Sequence, residues 1–256
     1  MFTVVGYNSS RAGAQATLLA LAGMADAHVR AVGNDIVVPT LNDLVGAYIF
    51  HGTAVAAGSV TLAQIQSPSL RQILLKDICQ AHDSNTVLNR LMLAIFPQDP
   101  LALAVNELIE VWIANGALAS AYGYAFLFLS DGPIVPVNGP VQTIRCTTAF
   151  TPTANAWSLG VLTPVQSLPA GQYNVVGMRC ISAATAGLAR LVFVGGTWRP
   201  GVPITTSLMN ADLVDFRYGN MGVWGTFPHN TPPSVEIAEV AAVANPDVYL
   251  DLMKVG

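Results

Sequence analysis

The histidines are the first residues to test for catalysis or metal binding, and the four in this chain, His28, His51, His82 and His229, are scattered. No His-Glu-x-x-His motif, glycine-rich phosphate loop or Gly-x-Ser-x-Gly nucleophile motif occurs. A triad can be assembled from residues distant in sequence, but nothing local supports one here. We therefore expect no catalytic residues and interpret the histidines as solvated or core side chains.

The candidate metal ligands are equally sparse. Cys79, Cys146 and Cys180 are odd in number, far apart and without a Cys-x-x-Cys pair, which predicts neither a disulfide framework nor a zinc site. Asp212 and Asp215 are candidate calcium ligands, but the spacing of an EF-hand loop is missing. We expect no metal and no cofactor, and interpret the cysteines as small buried hydrophobic residues typical of a reducing compartment.

Carboxylates occur in two pairs with a spacing of three, Glu107 with Glu110 and Glu236 with Glu239. On a helix each pair would share a face, whereas on a strand its members would point in opposite directions. Acid–base catalysis needs two convergent carboxylates, and this spacing does not establish convergence. We favour a surface or interface role for both pairs.

Four arginines lie inside or beside apolar runs: Arg71, Arg179, Arg190 and Arg199. Because arginine suits buried or interfacial pairing with carboxylates and carbonyls, we predict that these residues join subunits. Ordinary surface cations are the alternative interpretation.

An aromatic stripe alternates along one predicted strand, comprising Tyr122, Tyr124, Phe126 and Phe128. It could form a carbohydrate-binding platform. A core or subunit-interface role is the favoured interpretation, since an exposed stripe of that size would promote aggregation.

The elements that must position these residues are predicted mainly as strands, and they are clearest between Ser167 and Pro203. Gln172–Ile181 and Leu188–Val194 have β-type patterns framed by Gly and Pro turns. Alternation puts one set of side chains on one face and a second set on the other, namely Val176, Met178 and Cys180 against Tyr173, Val175 and Arg179.

An earlier stretch repeats this plan, with Val45-Gly46 and Ala63 in the order of Val176-Gly177 and Ala189. Tandem duplication would place the two copies on equivalent strands, with each glycine marking a bulge or close approach. Coincidence between generic β-meanders is the alternative. Further strands are predicted at Asp43–His51, Val60–Gln66 and Tyr122–Leu129.

Two apolar segments are interpreted as helices. Gln15–Met24 lies in a run that faintly resembles a signal peptide core, and its broad apolar face with Leu18, Leu19 and Leu21 predicts a helix. Leu70–Ile78 follows Ser67-Pro68 with helical spacing, and a strand through Ile73 is the alternative. Ile204–Asp215 is predicted to be a long loop.

The densest cluster of turn residues extends from Asp131 to Pro140 and predicts the boundary between two halves. The predicted domains are residues 1–132, an N-terminal segment with a first barrel, and residues 133–256, a second barrel. Many short strands separated by Gly and Pro turns favour sandwiches or jelly rolls.

The composition limits the class of protein. Charged residues make up 10% of the 256 residues and hydrophobic residues 52%, against about 25% charged residues in typical domains. A net charge of −4 without a basic cluster argues against sequence-specific nucleic-acid binding. No apolar run is long enough for a typical membrane helix, so the low charge predicts burial between subunits.

These features together resemble the double jelly-roll major capsid proteins of tailless icosahedral viruses, above all the small ones of bacteriophages with an internal membrane. The resemblance covers most of the chain and is carried by Leu168–Gly171, Val175–Arg179, Ala189–Phe193, Trp198–Gly201, Gly222–Gly225, Thr231–Glu236 and Val248–Leu252. It implies a mainly β fold of two tandem eight-stranded jelly-roll barrels with a few short helices. A single jelly roll with extra helices is the competing fold.

The resemblance implies a viral structural protein without catalysis, made in the host cytoplasm and incorporated in the virion as the capsid. Its implied partners are itself, as a homotrimer of hexagonal outline among neighbouring capsomers of an icosahedral shell, minor capsid or penton proteins, and an internal membrane. The alternative function is a β-sandwich binding module, a lectin or host-attachment protein using the Tyr122–Phe128 face. A hydrolase on a β scaffold is the third.

Overall fold

A computed structural model describes residues 1–11, 14–17, 19–24, 26–51, 60–69, 75–80, 90–95, 97–115, 121–182, 187–206, 214–239 and 241–255. These residues are mainly β, and the helix described among them is a short 3₁₀ helix at Val214–Phe216. No helix in this part of the chain is long and apolar enough to cross a membrane.

The chain forms two compact units, Val5–Pro133 and Ile134–Gly256, and the second unit also includes Met1–Val4. The division between them falls within the turn-rich segment that follows Ser130.

The N-terminal unit contains strands that alternate between two sheets. Their bounds are β1 Phe2–Arg11, which begins in the other unit, β2 Ala14–Thr17, β3 Leu19–Ala20, β4 Arg30–Val32, β5 Asp35–Val38, β6 Asp43–His51, β7 Val60–Gln66, β8 Leu75–Gln80, β9 Arg90–Ile95, β10 Leu101–Ala102, β11 Glu107–Asn115 and β12 Ala121–Ser130. One six-stranded sheet has the order β10-β6-β12-β1-β3 with β9 on β6, and the other has the order β4-β5-β11-β7-β8 with β2 on β11.

The C-terminal unit contains eight strands: β13 Gln142–Thr148, β14 Ser158–Pro164, β15 Gln172–Ser182, β16 Gly187–Val192, β17 Gly201–Thr206, β18 Gly225–Pro228, β19 Ser234–Glu239 and β20 Asp247–Lys254. Their order is β17-β16-β19-β14-β13-β20-β15-β18, and parallel pairing of β17 with β15 closes seven of them into a barrel. Closure leaves no free edge along those seven strands.

The antiparallel pairs of the C-terminal unit are nested. The first strand pairs with the last (β13 with β20), the second with the seventh (β14 with β19), the third with the sixth (β15 with β18) and the fourth with the fifth (β16 with β17). A long hairpin rolled around a barrel produces this nesting, which is compatible with a jelly roll.

The N-terminal unit has the same nesting. Its outer pair is β1 with β12, followed by β2 and β5 with β11, then β6 with β9 and β10, and β7 with β8 innermost. In both units the last strand also lies beside the third strand of the nest, as β12 lies beside β6 and β20 beside β15.

The two units share a β-bulge at one position. In β6 the register skips Val45 between Leu44 and Gly46, and in β15 it skips Val176 between Val175 and Gly177. Each bulge lies opposite the last strand of its own unit. Tandem duplication predicts corresponding positions of this kind for Val45-Gly46 and Val176-Gly177.

Ala63 and Ala189 also correspond. Ala63 of β7 pairs with Ile113 of β11, and Ala189 of β16 pairs with Ile237 of β19. Both pairs join the fourth strand of a nest to its seventh.

The bulge corrects the predicted faces of β15. Val175 lies opposite Leu252 and Met178 opposite Leu250, and because Leu250 and Leu252 are two residues apart they share a face. The extra residue at Val176 shifts the alternation by one, so Tyr173 and Val175 are buried on the same face as Met178 and Cys180. The prediction that placed these two pairs on opposite faces was wrong.

The helix predicted at Gln15–Met24 is also wrong in the described part of that segment. Ala14–Thr17 pairs with β11 and Leu19–Ala20 pairs with β1. Helix propensity is easily overridden by tertiary contacts. Here the backbone N–H and C=O groups of neighbouring strands provide hydrogen-bond partners for an extended chain. Leu21 is buried, but it reaches the core from extended chain.

Two further segments that were predicted to be helix or loop contain strand. Leu75–Gln80 is strand β8, which contradicts the helical interpretation there, while residues 70–74 lie outside the described residues. The segment Ile204–Asp215 was predicted to be a loop, but its first residues belong to strand β17. They continue the sheet because β17 pairs with β16, with Gly201 opposite Arg190 and Ile204 opposite Gly187. The strands Asp43–His51 and Val60–Gln66 have the predicted bounds.

Candidate functional site

Arg190 is a fully buried cation of the C-terminal unit. It lies on β16 directly opposite Glu236 of β19, and its Nε lies 2.6 Å from Glu236 Oε2. The Arg190 side chain is 0% exposed and its guanidinium carbon stacks 4.0 Å from the centre of the Trp157 ring. A charge so buried is tolerated because a carboxylate and an aromatic face replace water.

The same arginine holds the N-terminal residues Met1–Val4, which we call the arm. Arg190 Nη1 donates to the Val4 carbonyl at 3.0 Å, and the Val4 amide donates to the Arg199 carbonyl at 2.8 Å. Phe2 is fully buried with its ring edge-on to Trp224, at a centroid distance of 5.1 Å. The arm is therefore fixed by main-chain hydrogen bonds and one aromatic anchor, as an extended peptide is held at a sheet.

These contacts correct the predicted role of Arg190. Arg190 cannot join subunits because its side chain is buried within its own chain. Arg199 is half-buried and its Nη1 donates to the Gly196 and Trp198 carbonyls. Arg71 lies outside the described residues.

A second buried ion pair was not indicated by the sequence. Arg217 donates from Nε to Asp251 Oδ2 at 2.5 Å and from Nη2 to Asp251 Oδ1 at 2.8 Å, and Thr143 donates to the same carboxylate at 2.6 Å. The pair lies against Gly177, since a Cβ added there would meet Asp251 Oδ2 at 2.6 Å and the Arg217 Cα at 2.8 Å. The partners are 34 residues apart, and no local pattern connects them.

Strand β14 presents an exposed apolar row that we call the β14 row. Leu159 is 63% exposed and Val161 71% exposed, and Val165 just beyond the strand is 54% exposed. Alternation explains the row, because Gly160 and Leu162 between these residues are buried. The row is the largest run of exposed apolar side chains on one described strand face.

A shallow cavity of ≈ 240 Å³ opens where the arm begins. Its aromatic lining comprises Phe193, Trp198 and Trp224, with Met1 at its edge. This volume is below the usual range of small-molecule sites, about 300–1,000 Å³.

The predicted glutamate pairs lie on strands, and their members do not converge. Glu236 faces Arg190, whereas Glu239 is buried beside Ser182. Glu107 accepts hydrogen bonds from the Ser69 and Ala104 amides, and Glu110 accepts one from Trp112 Nε1. No paired acid–base arrangement results.

The Glu107 carboxylate joins two loops of the N-terminal unit, because it accepts the amides of Ser69 and Ala104. Its replacement by glutamine tests this role. Burial alone would raise the pKa of Glu107, but hydrogen bonds from Ser69, Ala104 and Ser67 outweigh it and the pKa is lowered. The stability it contributes is present above the unfolded-state pKa and is lost as pH falls through the folded-state pKa.

Glu107→Gln is expected to lower the free energy of unfolding by about 1–2 kcal/mol at neutral pH, because an amide has one acceptor for two backbone donors. Denaturant unfolding at several pH values measures the effect. Glu110→Gln is the matched control, since one acceptor satisfies Trp112, and we expect a change under about 0.5 kcal/mol. An equal loss in both variants would contradict the assignment.

The other candidate residues stay separate. His28 Nδ1 lies 3.0 Å from Thr40 Oγ1, and the His229 amide donates to the Gly171 carbonyl. Cys146 and Cys180 are buried and are not joined in a disulfide. The side chains of Cys79 and His51, with all of His82 and Asp212, lie outside the described residues. Among the residues that are described, no three His, Cys, Asp or Glu side chains could hold a metal ion.

The aromatic stripe lies in the core. Tyr124, Phe126 and Phe128 are each 0% exposed, and the intervening Ala125 and Leu127 are equally buried. The side chain of Tyr122 lies outside the described residues. The three described aromatic rings offer no surface to a glycan, so the binding-module alternative loses its platform.

Comparisons with known proteins give no match: no family model, no curated protein and no solved structure is similar to this chain.

Proposed function

We propose that this protein is a viral major capsid protein built from two tandem jelly rolls. The observation that carries the proposal is the repeated nesting of strand pairs with a bulge at corresponding positions, Val45 and Val176. A bulge is a local irregularity that the general nesting does not require. Its recurrence therefore favours duplication of one ancestral barrel over coincidence.

Duplicating a barrel has a geometric use in a shell. Three chains around a threefold axis bring six similar barrels into a pseudo-hexagonal outline, which tiles an icosahedral surface with one kind of protein. Closed symmetry hides apolar surface without leaving a growing edge. The low charge, 10% of residues, and the β14 row support association of this kind.

The proposal places the protein in the virion after synthesis in the host cytoplasm. Its main partner is a second copy of itself, followed by minor capsid or penton proteins and an internal membrane. The subunit interfaces should be obligate and should bury well over ~1,600 Å² in total.

The solution mass and the particle images of the purified full chain test the proposal. We expect a homotrimer, three chains of 26.9 kDa or about 81 kDa by light scattering, and hexagonal particles or closed shells by electron microscopy. A stable monomer, or a dimer with a small interface, would contradict a capsid function.

Val161→Asp tests whether the β14 row contacts other copies. We expect the protein concentration at which half of the chains are assembled to rise about tenfold or more. A buried unpaired carboxylate is costly at an interface. Thr163→Asp is the matched control, on the same strand face but already polar and exposed. If both variants assemble like the wild type, the row is not a contact, whereas the trimer prediction stands on its own measurement.

A further inference from the structure

Glu239 is a buried carboxyl group at the end of strand β19 that no described cation neutralises. Its side chain is 0% exposed, and Oε1 has no hydrogen-bond partner. The Ser182 hydroxyl lies beside this carboxyl and is also buried. A buried carboxyl oxygen without a hydrogen-bond partner is unusual in a folded protein, where such groups are nearly always paired.

Glu239 also joins loops at one end of the C-terminal barrel. Its main-chain carbonyl accepts the Asn155 amide at 2.7 Å, in the connection between β13 and β14. Its Oε2 accepts the Val243 amide at 3.3 Å, in the connection between β19 and β20. Gly187 at the start of β16 packs so closely that an added Cβ would meet the Glu239 Cα at 2.9 Å.

We propose that Glu239 is a pH-dependent latch, which holds the β13–β14 and β19–β20 connections onto the barrel when protonated and releases them when ionised. A neutral carboxyl carries no charge into this buried site. An ionised carboxylate does, and the Ser182 hydroxyl and the Val243 amide replace its lost water only in part, so opening the loops to water becomes favourable.

The titration range supports this geometry. Burial raises the pKa of Glu239 from 4.5 to about 7, and the Ser182 hydroxyl and the Val243 amide lower it only in part. Stability from a raised carboxyl pKa is present below the unfolded-state pKa and is lost as pH rises through the folded-state pKa. The latch therefore weakens between about pH 4.5 and pH 7 and upward.

Two other titratable groups face this end of the barrel. Cys180 of β15 is fully buried, and burial, then the charges of Glu239 and Asp247, raise the pKa of its thiol well above its usual value, so it stays neutral. Asp247 of β20 is paired with Arg145 at 3.1 Å. Arg190 of β16 lies three residues from Gly187 and is paired with Glu236, and the segments 151–157 and 241–246 contain no ionisable residue.

Hydrogen exchange of the Asn155 and Val243 amides in the full chain tests the latch. From about pH 6 to about pH 8, after correction for intrinsic exchange, we expect their protection to fall about tenfold more than a pH-independent site would show. The Leu191 amide, bonded to the Pro200 carbonyl of the same unit, is the internal reference and should not change.

Two variants separate the latch from general loosening. Glu239→Gln should make the protection of both amides independent of pH, since the amide cannot ionise. Ser182→Ala keeps the carboxyl but removes a group that lowers its pKa, so the midpoint should move to higher pH. Unchanged wild-type protection across this range, or a Glu239→Gln variant with the wild-type pH dependence, would overturn the proposal. Neither result depends on the oligomeric state.

Discussion

Glu236→Gln is expected to lower the free energy of unfolding by about 3 kcal/mol, which is the largest effect we predict for a single substitution in the C-terminal unit. Arg190 would remain fully buried with its partner's charge removed, and the Trp157 ring and the Val4 carbonyl carry no full negative charge to replace it. Removing one charge of a buried ion pair destabilises a protein by more than the intact pair stabilises it. The remaining charge is shielded from water and has no opposite charge beside it.

Urea unfolding followed by tryptophan fluorescence measures this loss. Asp247→Asn is the matched control, because it breaks the Arg145–Asp247 pair, whose side chains are 46% and 33% exposed. We expect the control to lose under about 1 kcal/mol, since exposed pairs are screened by water. Equal losses in the two variants would show that burial does not determine the contribution of Arg190.

Removing both charges provides a second check on Arg190 and Glu236. Arg190→Met combined with Glu236→Leu should recover much of the stability lost in Glu236→Gln, because no uncompensated charge remains in the core. The arm would keep the Val4–Arg199 hydrogen bond and the Phe2–Trp224 contact. A double variant less stable than Glu236→Gln would mean that the hydrogen bond from Arg190 to Val4 dominates.

Gly177→Ala is expected to lower the free energy of unfolding by about 2–3 kcal/mol, at the upper end of the usual cost of overpacking. A methyl group at this position would meet the Phe216 carbonyl oxygen at 2.8 Å and the Arg217 Cα at 2.8 Å. Both are backbone atoms, so relief requires moving the segment that carries Arg217 away from Asp251. The buried ion pair would then be strained together with the bulge.

Thermal or denaturant unfolding compares this variant with Gly139→Ala. A Cβ at Gly139 would meet only the Cε and Sδ atoms of Met253, a flexible side chain that can turn aside. We expect the control to lose under about 1 kcal/mol. If Gly177→Ala is as stable as the control, the close approach of the Phe216–Arg217 backbone to Gly177 does not limit stability.

Several strands were predictable because their signals are local. Alternating apolar residues between Gly and Pro turns predicted β6 and β7 with their observed bounds. The two Val-Gly steps that the sequence indicated as possible bulges both lie at register shifts. Periodicity and turn chemistry require no knowledge of distant residues.

The tertiary structure alone decided the rest, because it depends on which distant residues meet. The extra residue at Val176 shifts the alternation of the side chains that follow it. Met178 and Cys180 therefore lie on the same face as Tyr173 and Val175. Pairing with β11 and β1 made residues 14–17 and 19–20 strand although the local pattern is helical. Glu236 and Glu239 look equivalent in sequence, yet Glu236 faces Arg190 and Glu239 lies beside the neutral Ser182 hydroxyl. Charge compensation and solvent access are set by packing, which residue type and spacing do not encode.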